Sequence, residues 1–514
     1  MRKDSATRRR TAGGIVLAIS LIAALSVVLA PTAQAATITV TTTVDEYDNP
    51  GPGTGCSLRE AITAANDDST YGGCTAGSGD DDITLGASLY QLTTGGGGED
   101  SGDLNVSENL TIAGAGANAT TIQQTQSTSG TGGVIKADAA NLTLSALTAM
   151  GGVEKEGVKA DGGGDLRLDG VGIAGNTGGG VKVEDGGVLT VTDSTFSGNG
   201  DPADPKVGGV ESEETDIRNS TFSGNTAKSG GGLSVSGSLT LNNVTITANT
   251  VDGPGGSAQG GGLHLDTTGT AAISNTIIAG NTNTGDNNPG PDDCSSEAGD
   301  ISSGGYNLIG TGDGCNLTSV TGDQVGTDAA LIDPQLNPLQ NFGGTTETHL
   351  PLATSPAIEG GNPGPADGSE PNCEATDQRG TPRPVGVCDI GSVERTATDV
   401  DAGGGTQVGG ALLGRCAKKT ATVLGTGAKD VLKGTSGKDV MAGLNGRDKM
   451  SGKAKRDRMC GAGGKDTMRG GGGNDIIKGG KGNDLLVGGA GKDKCVGGPG
   501  RDRSRGCEKT VKIP

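Results

Sequence analysis

The chain has 514 residues, of which 100 are glycine, three are Phe, four are Tyr and none is Trp. So few large side chains exclude a globular core of ordinary thickness, whereas a solenoid needs only one layer of stacked Val, Ile, Leu, Thr and Ala. The formal net charge is −20. Residues 1–413 have 17 Lys and Arg against 50 Asp and Glu, a net charge of −33, whereas residues 414–514 have 23 against 10, a net charge of +13. The basic tail therefore predicts an anionic partner.

Residues 1–35 have the composition of a secretory signal peptide. A basic start is followed by an apolar run from Ile15 to Ala30 and by the small-residue exit Ala33-Gln34-Ala35, after which we expect cleavage. The run is shorter than the roughly 20 residues that a membrane span needs, so an uncleaved anchor is the weaker interpretation. The sequence therefore predicts an exported bacterial protein, secreted or at the cell surface, without a membrane span in the mature chain.

Ten cysteines, an even number, fit disulfides in an oxidising compartment. Zinc is the competing use of cysteine, but the chain has no CxxC pair and only two histidines, so we discount a zinc site. Spacing does not establish connectivity, and pairing of sequence neighbours is the simplest hypothesis. It predicts Cys56 with Cys74, Cys294 with Cys315, Cys373 with Cys388 and Cys495 with Cys507, which leaves Cys416 and Cys460.

Residues 36–103 contain a strand-like Thr/Val run and then one helix signal. Ser57 followed by Glu60 is a capping box, which predicts a short helix that covers the open end of a solenoid. The segment Cys56-Ser-Leu-Arg-Glu-Ala61 resembles the signature of the CSLREA domain, which is found at the start of exported bacterial proteins and implies no known chemistry. We therefore interpret Arg59 and Glu60 as cap and surface charges and not as a catalytic pair.

Residues 104–299 repeat a strand, a glycine-rich turn and an asparagine corner at intervals of 23 to 32 residues. This period predicts an all-β, right-handed parallel β-helix, a solenoid similar to pectate lyase. The alternating apolar pairs point inward: Leu142/Leu144, Leu166/Leu168, Leu189/Val191 and Leu239/Leu241. The corner asparagines are predicted to form a structural hydrogen-bonded ladder: Asn176, Asn199, Asn225, Asn249 and Asn281.

Residues 300–395 have a sequence pattern different from that of the repeats, and residues 396–424 are interpreted as a linker. The segments Gly305-Tyr-Asn-Leu-Ile-Gly310, Thr376-Asp-Gln-Arg-Gly-Thr-Pro-Arg383 and Cys388-Asp-Ile-Gly391 resemble the choice-of-anchor Q domain. That family ends many secreted β-helix proteins just before a surface-attachment element. The resemblance implies that any anchoring role falls to the tail.

Residues 425–507 carry an aspartate at every ninth position, and a glycine opens each nonamer. Such a fixed period indicates a second solenoid. The copies that begin at Gly470 and Gly479 resemble the haemolysin-type (RTX) calcium-binding repeat GGxGxDxUx, which implies a β-roll with two nonamers per coil and ions between coils. The aspartates are Asp430, Asp439, Asp448, Asp457, Asp466, Asp475, Asp484, Asp493 and Asp502.

Calcium is the expected cofactor, because Ca²⁺ takes six to eight carboxylate and carbonyl oxygens. The candidate ligands are Asp466, Asp475, Asp484 and Asp493 with the turn residues Gly470, Gly472, Gly479, Lys481 and Gly488. Most aspartates follow Lys or Arg, which competes with calcium, so we expect ions at two to four turns between Gly470 and Asp493 and a salt-bridged remainder. The alternative is a flexible, Gly/Lys-rich wall-binding segment.

The favoured function is a non-enzymatic adhesive or structural role, with calcium in the tail and an anionic cell-wall or matrix polysaccharide as partner. Nucleic acid is disfavoured, because the tail has no aromatic residues for stacking. The alternative is a polysaccharide lyase or glycoside hydrolase on the β-helix. Candidate residues for that alternative form no recognised motif: Asp165, Arg167, Asp169, Asp193, Asp216, Arg218 and His264. Neither His264 nor His349 has a serine or cysteine at nucleophile spacing, which disfavours a protease.

Overall fold

The computed structural model describes residues 35–47, 55–94, 102–125, 132–201, 207–253, 259–285, 289–297, 301–399, 401, 415–416, 419–420, 423–424, 429, 431–443 and 446–511. The predicted signal peptide and the first aspartate of the nonamer series, Asp430, lie outside these residues. The described chain is almost entirely β, with one α-helix, Leu58–Asn66. The prediction of an all-β solenoid is confirmed.

The helix begins at the predicted capping box. The hydroxyl of Ser57 accepts the N–H of Glu60 at 3.2 Å, and the Glu60 carboxylate accepts the N–H of Ser57 at 3.0 Å. Leu58 and Ile62 are buried in the same core as the first strands, so the helix covers that end of the solenoid. Arg59 and Glu60 are buried, so the prediction of surface charges was wrong. Arg59 pairs with Asp45 at 2.9 Å as a structural charge.

Three parallel sheets, named A, B and C here, form the coils of the body, and each coil passes through C, A and B in turn. Sheet A contains Thr37–Thr39, Asp81–Thr84, Leu110–Ala113, Leu142–Ser145, Leu166–Asp169, Val188–Thr192, Glu214–Arg218, Ser238–Asn242, Thr270–Ser274, Ile301–Gly305 and Leu317–Thr318. Sheet B contains Leu89–Leu92, Thr121–Gln124, Thr148–Met150, Gly172–Ala174, Thr195–Ser197, Thr221–Ser223, Thr245–Thr247, Ile277–Ile278, Leu308–Ile309 and Gln324–Val325. Sheet C contains Leu104–Val106, Ile135–Asp138, Val158–Asp161, Val181–Val183, Val210–Ser212, Leu233–Val235, Leu263–Leu265 and Cys294–Ser296.

Short strands at one corner form a fourth sheet, with Thr226–Ala227, Thr250–Val251, Thr282–Asn283 and Gly290–Pro291. The parallel register stacks identical side-chain types in rows, so the predicted Leu and Val pairs of sheet A are all buried. Phe196 stacks on Phe222 of the next coil with ring centroids 4.4 Å apart. One thin layer of stacked side chains therefore fills the core, as the composition requires.

The asparagine ladder runs through the core as predicted. The side chain of Asn199 donates to Asn225 at 2.9 Å, and that of Asn225 donates to Asn249 at the same distance. The ladder ends at Asp293, which accepts both the backbone and the side-chain N–H of Asn281 at 2.9 Å. Each member satisfies a buried backbone group of its neighbour, so the ladder fixes the corner of every coil.

Replacing Asn225 by alanine is expected to destabilise the body by about 3 kcal/mol or more, because it leaves buried donors and acceptors of the neighbouring coils without hydrogen-bond partners. Asn141→Ala is the matched control, since Asn141 accepts one backbone N–H at an exposed corner. Its cost should stay under about 1 kcal/mol. Guanidinium unfolding measures both, and equal midpoints for the two variants would refute a buried ladder.

After the last coils, residues 334–395 fold back along sheet B and are called the covering segment here. The carbonyl of Glu347 accepts the hydroxyl of Thr195, and the N–H of Ser392 donates to Thr245 at 3.0 Å. Thr221 of the coil between them bonds to Ser392 and Gln378 of the covering segment at 2.9 and 2.6 Å. The outer face of these strands of sheet B is therefore hidden, which removes it as a substrate groove.

The tail forms two further parallel sheets, and alternate nonamers contribute to each. Sheet E contains Val423–Leu424, Val440–Ala442, Arg458–Gly463, Ile476–Lys481, Lys494–Val496 and Lys509–Val511; sheet F contains Val431–Lys433, Lys449–Lys453, Thr467–Gly472, Leu485–Ala490 and Arg503–Arg505. A hairpin joins Arg415–Cys416 to Lys419–Thr420. The residue two places after each aspartate from Asp439 to Asp493 fills the core between the sheets: Met441, Met450, Met459, Met468, Ile477, Leu486 and Cys495.

Four of the predicted disulfides are present: Cys56–Cys74, Cys294–Cys315, Cys373–Cys388 and Cys495–Cys507. Cys460 is disulfide-bonded as well, and no cysteine among the described residues is free. The side chain of its expected partner, Cys416, lies outside the described part of the chain. The bond between Cys495 and Cys507 ties the final coil of the tail to its core.

Candidate metal centre

The aspartates of the tail form two columns, because one coil is 18 residues and equivalent positions stack. Through Oδ1, each aspartate from Asp457 to Asp502 accepts the backbone N–H of the aspartate one coil earlier at 2.8 to 2.9 Å. One column holds Asp439, Asp457, Asp475 and Asp493, and the other holds Asp448, Asp466, Asp484 and Asp502. These bonds leave the second carboxylate oxygen for another partner.

That second oxygen is buried and has no hydrogen-bond partner at Asp457, Asp466, Asp475, Asp484, Asp493 and Asp502. It lies against the glycine that opens the same nonamer. A Cβ built on Gly470 would overlap Oδ2 of Asp475 and lie 2.7 Å from the carbonyl oxygen of Gly488 in the next coil. Gly452, Gly461 and Gly479 have the same surroundings. An unpaired carboxylate oxygen therefore faces a glycine carbonyl at each of these turns.

Burial makes these carboxylates costly to ionise without a cation. Burial and the charges of Asp484 and Asp448 raise the pKa of Asp466 to about 7, although a backbone N–H lowers it. Burial, together with the charges of Asp475 and Asp439, likewise raises the pKa of Asp457 to about 6. A divalent cation would compensate the stacked charge, so the residues fit a metal ion.

The donor set favours calcium. Within the described residues, no three His, Cys, Asp or Glu side chains gather closely enough to hold one ion. An ion at these turns would therefore need backbone carbonyls beside the carboxylates, which is typical of Ca²⁺ and untypical of zinc.

The predicted turn ligands differ in their surroundings. Gly470, Gly479 and Gly488 each have Oδ2 of the following aspartate beside them. Gly472 is open, with Lys453 O as the only neighbour within 4 Å of a built Cβ. Lys481 exposes its side chain, and its carbonyl already accepts the N–H of Gly464 at 2.8 Å.

The expected salt bridges between repeat cations and column aspartates are not found among the described residues. The ion pairs among the described residues lie in the body, from Arg59–Asp45 near its start to Arg395–Asp401 near its end. The prediction was wrong because adjacent residues of the turn point to opposite sides. The aspartates are buried, whereas the cations before them are exposed: Lys438, Arg447, Arg456, Lys465, Lys492 and Arg501.

Two turns that were not predicted as sites also have an unpaired carboxylate oxygen. They are the turns of Asp457 and Asp502. The loop before Asp457 reads Gly452-Lys-Ala-Lys-Arg456 and lies outside the turns predicted to bind ions, yet it keeps the geometry around Gly452. Asp439 differs, because the N–H of Thr435 donates to its Oδ2 at 2.8 Å and the Thr435 hydroxyl donates at 3.2 Å. The aspartate register was the signal that pointed to the additional turns.

Two of the candidate catalytic residues of the body, Asp165 and Arg218, make structural contacts. Asp165 accepts the N–H of Val188 at 3.0 Å, and Arg218 binds Glu374 of the covering segment at 2.9 Å. Burial and the charge of Asp169 raise the pKa of Asp193 to about 7. The guanidinium of Arg167 approaches Asp169 only at 4.0 Å. These contacts fit a solvated and partly covered surface.

A lysine row on sheet C is the remaining candidate for a general base. Lys159 pairs with Asp161 and Glu184 at 2.9 Å each, and Lys182 pairs with Glu184 at 2.9 Å and Glu211 at 3.0 Å. Although burial lowers the pKa of Lys159, its bonds to Glu184 and Asp161 raise it above the ordinary value. A base that works near neutral pH needs a lowered pKa, so this row fits a charge network.

The two histidines also occupy structural positions. His264 on sheet C is buried, and burial lowers its pKa. His349 contacts a serine after all, because its Nε2 lies 2.8 Å from the Ser223 hydroxyl and its Nδ1 lies 2.7 Å from the carbonyl of Asn337. The carbonyl only accepts, so Nδ1 carries the proton and Nε2 accepts from Ser223. The three residues are far apart in sequence and join the covering segment to sheet B.

His349 makes the attachment of the covering segment dependent on pH. Burial lowers its pKa to about 4, although the backbone hydrogen bond raises it. The neutral ring therefore stabilises the fold fully above about pH 6.5, and about 3 kcal/mol of that contribution is lost as the pH falls to 4. The difference in unfolding midpoint between wild type and His349→Gln should shrink over this range. A difference that is constant from pH 7 to pH 4 would contradict this role.

The described residues include no helix long and apolar enough to cross a membrane. Two family models match the chain: "Right handed beta helix region" over residues 108–283, and "RTX calcium-binding nonapeptide repeat (4 copies)" over residues 424–459, 461–495 and 469–503. No curated protein matches.

Two solved structures are similar at 9% sequence identity and a TM-score of 0.21. The PL6 family alginate lyase AlyGC matches over 88% of this chain and 80% of its own, and a point mutant of that lyase matches over 84% and 78%. At these scores the likeness supports no statement about activity. The chain contains a right-handed β-helix region followed by RTX-type calcium-binding nonapeptide repeats, which confirms the fold predicted from the sequence.

Proposed function

We propose that this is an exported, non-enzymatic surface or matrix protein, in which a rigid β-helix is joined to a tail that calcium orders. The observation that carries the proposal is the series of buried, unpaired carboxylate oxygens from Asp457 to Asp502, each beside a glycine turn. A buried ionised oxygen without a partner is unfavourable, so the tail is built for a cation.

The ions would lie between successive coils of each column. Asp457, Asp466, Asp475, Asp484 and Asp493 supply Oδ2, and the glycine carbonyls that face these oxygens supply further ligands; Gly472 and Lys481 are secondary candidates. Calcium supplies charge compensation and cross-links between coils. The chain itself holds Oδ1 fixed through the column of N–H bonds, so only one oxygen of each carboxylate is left to bind.

Calcium would act as a folding ligand for the tail. An ion that binds only the folded form stabilises it by about 2.7 kcal/mol at a hundredfold excess over the dissociation constant. The predicted signal peptide and the disulfides favour export, and calcium is abundant outside the cell. The tail would therefore order after export. The residues that resemble the CSLREA and choice-of-anchor Q domains fit the same location.

A calcium titration of the intact protein tests the proposal. We expect calcium to increase the far-ultraviolet β signal and to raise the melting temperature of the tail transition, while magnesium, which demands tighter octahedral geometry, has a much smaller effect. Unchanged spectra and melting in excess calcium would overturn the proposal. An assay for unsaturated products from acidic polysaccharides tests the non-enzymatic part, for which we expect no release.

A further inference from the structure

Folding separates the charges of the tail by sign. In the sequence most aspartates directly follow Lys or Arg, so opposite charges alternate along the unfolded chain. In the structure the column aspartates are at most 5% exposed, while 17 of the 18 Lys and Arg between residues 431 and 511 are exposed. The ordered tail therefore presents a surface of almost one sign, which the disordered tail lacks.

The cations are densest at the loop Lys453, Lys455 and Arg456, called the basic loop here. All three side chains are exposed. Lys438 and Lys492 lie on the same edge of the tail, because their neighbours Asp439 and Asp493 belong to the same column as Asp457. The equivalent positions in successive coils are Lys438, Arg456, Asn474 and Lys492. Coils are separated by roughly 4.8 Å, so like charges lie one or two coils apart along this edge.

The backbone of the basic loop is strained, because lysine holds two positions at which the next coil has glycine. Lys453 and Lys455 have φ values of 77° and 68°, in the left-handed region. Gly471 and Gly473 hold the corresponding positions one coil later, with φ values of 110° and 126°. Glycine adopts such angles without a Cβ penalty, whereas lysine does not. Lysine at these two positions therefore opposes local stability, and strain of this kind is concentrated at functional sites.

We infer that the basic loop is the binding site of the calcium-ordered tail for an anionic polysaccharide, a sugar polymer with carboxylates repeated along its length. The inference rests on the proposed ordering of the tail by calcium. Cations one or two coils apart repel one another, and a polymer with repeated anions relieves that repulsion at several of them at once. Nucleic acid fits less well, because residues 414–514 contain no Phe, Tyr or Trp on which bases stack.

Binding of the intact protein to immobilised hyaluronan, with dextran as the neutral polymer, tests the inference. In excess calcium we expect binding that weakens with salt, and we expect the triple variant Lys453→Gln, Lys455→Gln, Arg456→Gln to bind at least about tenfold more weakly. The matched control Lys433→Gln, Lys449→Gln, Arg469→Gln removes the same charge from sheet F and should lose less than about threefold. Equal losses in the two variants would overturn the site.

A second variant separates binding from folding. Lys453→Gly with Lys455→Gly restores the repeat and should order at the same or a lower calcium concentration, yet bind hyaluronan at least about tenfold more weakly. If calcium orders the wild-type tail but hyaluronan does not bind, this inference alone fails. If calcium does not order the tail, the proposed function fails with it. Single-stranded DNA that binds as tightly as hyaluronan would overturn the choice of polysaccharide.

Discussion

Replacing Asp475 by asparagine is expected to stabilise the calcium-free tail and to raise the half-saturating calcium concentration at least about tenfold, or about 1.4 kcal/mol. The two effects share one cause. The amide oxygen still accepts the N–H of Asp457 in place of Oδ1, and the amide N–H₂ replaces the unpaired Oδ2 near the Gly488 carbonyl. The substitution thus removes a buried charge that only a cation compensates.

Asp439→Asn is the matched control for Asp475→Asn, since Asp439 belongs to the same column but has Thr435 as a partner for its Oδ2. Its calcium midpoint should change by less than about threefold. Thermal unfolding in calcium and in chelator measures both variants. A calcium-free tail that becomes less stable in Asp475→Asn, with an unchanged calcium midpoint, would contradict the role assigned to Oδ2.

Replacing Gly470 by alanine is expected to abolish the calcium response of the coils around it. The new Cβ would overlap Oδ2 of Asp475 and lie 2.7 Å from the Gly488 carbonyl, where backbone atoms leave little room to relax. The methyl group would push Oδ2 of Asp475 away from the Gly488 carbonyl, so the two oxygens could no longer bind one ion together. We expect the loss to be larger than that of Asp475→Asn, because the substitution disturbs the fold of the coil as well as its ligands.

Gly472→Ala provides a control of the same chemistry two residues away. Its Cβ would have only the Lys453 carbonyl within 4 Å, at 3.9 Å, so the coil should accept it with a nearly unchanged calcium midpoint. Both variants are compared by calcium titration of far-ultraviolet circular dichroism. Equal calcium midpoints for Gly470→Ala and Gly472→Ala would show that Oδ2 of Asp475 and the Gly488 carbonyl beside Gly470 do not bind calcium.

The sequence predicted most of the fold, because in a solenoid a local period determines long-range neighbours. Asn225 meets Asn199 and Asn249 since each coil repeats the same corner, and the apolar pair Leu166/Leu168 fills the core because its register repeats as well. Neighbouring cysteines could be paired for a related reason, as one coil brings them together.

The contacts of the covering segment could not be predicted in this way. His349 reaches Ser223 across 126 residues, and no period connects the two. Packing of a non-repeating segment against a repeating one depends on three-dimensional shape, which a pattern of residue types does not contain. Sequence spacing offered His349 no serine, and it could not reveal the contact with Ser223, in which the buried ring joins two parts of the fold.

The candidate metal centre was predictable in its residues but not in its detail. The ninefold spacing identified the aspartates, yet it did not reveal that Oδ1 is already used by a backbone N–H and that only Oδ2 remains. Nor did it show that Lys and Arg before the aspartates point outward, since side-chain direction at a turn depends on the backbone angles. The expected competition from these Lys and Arg side chains is what limited the predicted sites to the turns between Gly470 and Asp493.

The most direct test of calcium binding by the two columns is anomalous scattering from crystals of the intact protein grown with calcium. The account predicts peaks between successive coils, each within about 2.3 to 2.6 Å of Oδ2 of a column aspartate and of glycine carbonyl oxygens. An ordered tail in excess calcium without peaks at Asp466, Asp475 and Asp484 would contradict it.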